Sequence, residues 1–166
     1  MKSTGHTGRE MSRSESGTVL PLTARDVLEQ KGSEVITIEP ERSVQEAIHT
    51  MVTRGVGALV VVKGGDIVGM LTERDILRAS DHNFDRLSAL SVSELMTRQV
   101  MIGLWDDSLD DVMDLMTEKH IRHVPIMAAG SLAGILSIGD VVKARGHNAE
   151  IVIRYLKDYI EGRYPR

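Results

Sequence analysis

The chain has 166 residues and a formal net charge of −4, with 42% apolar residues but only one Phe, one Trp and three Tyr. That length suits a single domain whose core must be aliphatic, built from Val, Ile, Leu, Ala and nine Met. The absence of cysteine excludes disulfides, zinc–thiolate sites and thiol catalysis; the interspersed charge speaks against a nucleic-acid binder; and no apolar run approaches a membrane span.

Residues 1–21 come first. Met1 to Gly17 is polar and lacks the apolar stretch of a secretory signal, so a disordered leader is expected, with Met11 as an alternative start and the cytoplasm as the compartment. From residue 22 the chain repeats itself. Shifted by 65 residues, Ser43 falls on Ser108, Met51 on Met116, Gly69 on Gly134, Leu71 on Leu136 and Asp75 on Asp140, without a gap from Ser43 to Leu77. Asp26-Val27-Leu28 falls on Glu94-Leu95-Met96 once three extra residues are allowed in the first copy. The expected units are 22–84 and 91–146.

Each unit is expected to open with a short helix (about 24–30, then 92–96), followed by a short strand (35–38, then 100–103). Val44, Ala47, Ile48, Met51 and Val52 recur at helical spacing and predict a helix with one apolar face. Ser43 with Glu46 forms its capping box, which Ser108 with Asp111 imitates in the second copy. The β-branched run from Ala58 to Val62, a turn at Gly64-Gly65 and the run from Ile67 to Leu71 read as a hairpin, and the second copy turns through Ala128-Ala129-Gly130. A closing helix starts near Thr72. The order is β-α-β-β-α, twice: an α/β (α+β) fold with pseudo-two-fold symmetry, and clefts between the units where a ligand can sit. Residues 147–166 read as a helical extension, with Ile151, Tyr155, Leu156, Tyr159 and Ile160 as an apolar stripe that packs back or pairs with a second subunit.

Two tetrapeptides carry the chemistry, Thr72-Glu73-Arg74-Asp75 and Ser137-Ile138-Gly139-Asp140, each preceded by Gly-apolar-Leu. A hydroxyl at a helix start beside free backbone N–H groups suits an anion. A lone carboxylate accepts two hydrogen bonds from a ribose cis-diol. Hydroxyl plus carboxylate therefore suggests a nucleotide, although Ser/Thr-x-x-Asp is also a variant capping box. The occurrence of two copies in register favours the ligand reading.

On these motifs, with His120-Ile-Arg-His-Val-Pro125, the stretch from about Leu22 to Gly146 resembles a tandem pair of CBS domains (named for cystathionine β-synthase), a Bateman module. The resemblance implies a regulatory, non-catalytic module binding AMP, ADP or ATP, and in some members NAD(H) or S-adenosylmethionine, between the repeats. It implies that Asp75 and Asp140 hold ribose, that Thr72 and Ser137 face ribose or phosphate, and that Arg122 holds phosphate. Ile36, Val56 and Ala58 with Ile135 would sandwich adenine in one cleft; Met70, Met101 and Ile121 would do so in the other, with Thr97 as a polar contact. The copies differ: Arg122 aligns with Gly57, and Arg74 with Gly139. The cleft of Asp140 with Arg122 is expected to suit a mononucleotide. The cleft of Asp75 has Arg74, can borrow Arg122 or His123, and has room at Gly57 for a larger ligand such as a dinucleotide.

His120-x-x-His123 invites a metal, but it straddles the expected end of a helix and the start of a strand, and a phosphate or structural role fits better. Trp105 is expected as a packing anchor. No catalytic cofactor is expected, and the family resemblance implies a homodimer whose output passes to an effector protein. The competing readings are a ligand-free dimerisation or protein-interaction module and, less favoured, a nucleotide enzyme or a nucleic-acid binder.

Overall fold

The computed structural model describes residues 22–145; the leader and the C-terminal stripe lie outside the described residues. In chain order the elements are α1 (Ala24–Lys31), β1 (Thr37–Ile38), α2 (Val44–Arg54), β2 (Ala58–Lys63), β3 (Asp66–Thr72) and α3 (Glu73–Asn83). A 3-10 turn (Phe84–Ala89) then leads to α4 (Val92–Leu95), β4 (Gly103–Leu104), α5 (Leu109–Glu118), β5 (His123–Ala128), β6 (Ser131–Ser137) and α6 (Ile138–Ala144). Each copy forms its own three-stranded sheet, β1-β2-β3 and β4-β5-β6, in which the first pair is parallel and the second antiparallel.

The duplication extends to local detail. Both hairpins turn through two positive-φ residues, Gly64 and Gly65 in one copy and Ala129 and Gly130 in the other, the twist-compatible hairpin geometry. Both carry a bulge at the same register, Val61/Val62 and Ile126/Met127. The Ser43–Glu46 capping box is present, and Ser108 Oγ accepts from the Asp111 amide at 3.1 Å. Helix α2 ends on Gly55 at φ 64°, the left-handed cap that glycine adopts without cost. The equivalent position in the second copy is His120, also left-handed at φ 54°.

The first strands are shorter and later than expected. Residues 97–102 lie outside β4; at their start Thr97 makes an isolated antiparallel bridge to Met70 of β3, with amide–carbonyl bonds of 2.8 and 2.9 Å. Val52, assigned to the apolar face of α2, is 76% exposed. Val44, Ala47 and Met51 fill the arc the sheet covers, and Val52 lies beyond it beside the cap.

The lead helices are exchanged. Ala24, Val27 and Leu28 of α1 are buried with Leu109, Val112, Met116, Ile126 and Leu136 of the second copy. Val92 and Met96, at α4, are buried with Ala47, Met51, Leu59, Val61 and Leu71 of the first. Three pairs of backbone bonds repeat the exchange symmetrically. The amides of Ala24 and Val92 donate to the carbonyls of Asp107 and Arg42, those of Arg25 and Ser93 to Trp105 and Pro40, and those of Leu109 and Val44 to Leu22 and Leu90. The motif glycines make room for this. A Cβ on Gly134 would lie 2.6 Å from both methyls of Leu28, and one on Gly69 would lie 2.5 Å from the Met96 sulfur. Neither half can keep its core without the other, which suits units of about 60 residues that are marginal alone.

Candidate functional site

The two Ser/Thr-x-x-Asp motifs sit where each sheet hands over to its closing helix, and both are capping boxes. Thr72 donates to Asp75 Oδ2 through its amide at 2.9 Å and its hydroxyl at 2.6 Å, and the Asp75 amide donates back to Thr72 Oγ1 at 3.3 Å. Ser137 and Asp140 repeat this at 2.7, 2.7 and 3.2 Å. Capping and ligand binding are compatible here. The box uses Oδ2 alone and holds the carboxylate in place, leaving Oδ1 outside it.

Next to Asp75 the repeats enclose a cavity of about 330 Å³. The first repeat contributes Gly57, Met70, Thr72, Arg74 and Asp75 to its lining, and the second contributes Thr97, Met101, Ile121, Arg122 and His123. Ten of the residues singled out in the sequence thus line one space. Met70, Met101 and Ile121 give it an apolar side. The cavity is also lined by His120, weighed in the sequence for a phosphate or structural role, and by residues given no ligand role there, Glu73, Arg78, Gln99, Val100 and Lys119. Their signal was position: Arg78 is one helical turn after Arg74, Gln99 and Val100 lie between Thr97 and Met101, and Lys119 and His120 precede Ile121.

Arg122 lines the cleft of Asp75 together with His123, the borrowing across the repeats that the sequence analysis allowed for that cleft. Gly57 lines the same cavity; a Cβ there would sit 3.0 Å from Glu73 Oε2 and 3.7 Å from His123 Cε1, so the space is shared with those two side chains. Across the mouth, Arg74 Nη1 donates to the His120 carbonyl at 3.3 Å, tying α3 of one repeat to the α5–β5 joint of the other. His123 is held below its ordinary pKa, first by burial and then by the like charge of Arg122, with Lys31 adding to and Asp140 opposing the shift.

Asp140 has a different neighbourhood. Lys31 Nζ, on the exchanged α1, donates to Asp140 Oδ2 at 2.7 Å, with both side chains less than a third exposed. Burial pushes the Asp140 carboxyl up, but the Lys31 ammonium and the Ser137 donors more than offset it and leave the group below its ordinary value. Ser137 caps α6, and Gly139 is exposed beside it. Ile36 and Val56 pack against the first core, Ala58 is buried in β2 and Ile135 is half-buried in β6; none of the four lines the cavity at Asp75. Trp105 packs against the second core as an anchor.

The comparisons with known proteins agree with this architecture. The CBS domain family model matches residues 24–82 and again 92–147. CBS domain-containing protein CBSX3, mitochondrial, of Arabidopsis thaliana is 32% identical over 162 residues, covering 92% of this chain and 79% of that protein. The crystal structure of a CBS-domain containing protein from Agrobacterium tumefaciens shares 40% identity with a TM-score of 0.73, covering 75% of this chain and 99% of that one. The CBS domain pair of protein MJ0100, crystallised with 5-methylthioadenosine and S-adenosyl-L-methionine, shares 25% identity with a TM-score of 0.69, covering 77% and 98% of the two chains. With two matched copies, an exchanged pair of lead helices and a cavity where the copies meet, this chain belongs to the CBS domain family as a tandem pair.

Proposed function

We propose that this CBS pair is a regulatory sensor that binds an adenine nucleotide in the cleft at Asp75 and catalyses no reaction. The observation that carries the reading is the composition of one cavity. Apolar side chains (Met70, Val100, Met101, Ile121) suit a purine face, a positioned carboxylate suits a ribose diol, and Arg74 and Arg122 suit phosphate. A volume of about 330 Å³ falls at the small end of ligand pockets, about 300–1,000 Å³, which favours a mononucleotide over a dinucleotide such as NAD(H). The adenosine-type ligands of protein MJ0100 support the class, not the identity, of the ligand.

In this reading Asp75 accepts the ribose hydroxyls through Oδ1, while Thr72 and the start of α3 face the phosphate end. Signalling follows because the cavity is lined from both repeats, so a bound ligand favours the pose in which they close on it, by no more than its differential affinity for the two poses. The output passes to a partner protein, with a homodimer as the signalling unit. Calorimetric titration of the full chain with AMP, ATP, NADH and S-adenosylmethionine in parallel tests the reading. Micromolar binding of an adenosine phosphate, weakened at least about tenfold in Asp75→Asn, is expected. Silence from all four ligands would leave a protein-interaction module as the better account.

A further inference from the structure

The cleft wall carries more positive charge than one phosphate group needs. Arg74 and Arg78 lie one turn apart on α3 of the first repeat, while Lys119 and Arg122 flank the α5–β5 joint of the second. The carboxylates lining the same space are Glu73 and Asp75, and Asp75 is already held in its capping box. Like charges four residues apart on a helix repel. Among the described residues neither Arg78 nor Lys119 has a carboxylate within ion-pair distance. With Arg78 and Lys119 the wall concentrates charge of one sign, a field for an oppositely charged ligand. Because the patch is split between the repeats, the anion that satisfies it touches both α3 and the α5–β5 joint.

We infer that the Asp75 cleft selects an adenosine ligand bearing two or three phosphates over the monophosphate, with Arg78 and Lys119 as the residues that make the distinction. This rests on the adenine-nucleotide reading and narrows it. A ribose on Asp75 directs the first phosphate to the start of α3 and Arg74, where a monophosphate ends. Further phosphates extend the charge toward Arg78 along the helix and toward Lys119 across the mouth. The same wall repels a nucleoside whose side arm is a positive sulfonium.

Titrations of the full chain with AMP, ADP and ATP, without divalent cation and at two salt concentrations, decide the matter. ATP is expected to bind about tenfold or more tightly than AMP, with ADP between them and the gap narrowing as salt rises. Arg78→Gln and Lys119→Gln should each lower ATP affinity about fivefold more than AMP affinity; both side chains are exposed, so the variants should melt like the parent. AMP binding as tightly as ATP, or variants that weaken both equally, would overturn the selection while leaving the nucleotide site intact. Failure of all three nucleotides to bind would remove the nucleotide reading and this inference with it.

Discussion

Replacing Gly134 by Ala tests whether α1 truly lies on the sheet of the second repeat. The added Cβ would stand 2.6 Å from Leu28 Cδ1 and Cδ2 and 3.2 Å from Cγ, about 1 Å inside normal contact. Leu28 is 1% exposed, walled in by the second core, and cannot swing away. Overpacking of this kind costs about 1–3 kcal/mol, offset by about 0.4–1 kcal/mol from the narrower unfolded state of Ala. Leu28→Ala alone should cost about 2–5 kcal/mol through its cavity. In the double variant the clash is gone, and the Cβ at position 134 partly fills the space. The two costs should therefore fall short of additivity by about 1–3 kcal/mol. Urea unfolding of the four proteins measures this directly. Additivity within about 0.5 kcal/mol would refute the exchange of lead helices.

Lys31→Met should destabilise the fold by about 1 kcal/mol at neutral pH by leaving Asp140 without its ammonium. Because the Asp140 carboxyl titrates below its unfolded value, its contribution is present above about pH 4 and lost as pH falls through the folded value, so parent and variant should converge in acid. His123 also titrates below its unfolded value, so the folded state resists its protonation and stability falls as pH drops below about 6.5; His123→Gln should flatten that limb of the curve, as read by thermal melts between pH 5 and 7.5. The left-handed caps make opposite predictions at equivalent positions: Gly55→Ala should cost about 1 kcal/mol, whereas His120→Gly should gain up to about 1 kcal/mol, both by denaturant midpoint.

The duplication, the element order and both capping motifs were legible because they depend on local chemistry: caps, hairpin glycines and apolar period all act within a few residues. The exchange of lead helices was not legible. The apolar residues of 24–28 and 92–96 show that these helices are buried but not against which sheet, and the two sheets offer near-identical surfaces. Gly69 and Gly134 held the missing clue, small residues in strand interiors where another element comes close, but only the partner's identity makes that clue specific. Arg122 was legible only as one of two options: its alignment with Gly57 established equivalence between copies, whereas the cleft forms between copies, so a residue of one repeat lines the cavity at the motif of the other. Arg78 and Lys119 were missed because neither belongs to a motif; they become neighbours only when the cavity closes. Asp75 combined both lessons, since the capping box proposed as its plain role is also what orients it toward the cavity.

Hydrogen exchange of the full chain, with and without saturating ATP, tests the central claim that the ligand sits where the repeats meet at Asp75. The account predicts slowed exchange in three separate stretches of chain that line one cavity, around 70–78, 97–101 and 119–123, and little change around 137–140. Protection confined to one repeat, or centred on 137–140 and α1, would contradict it.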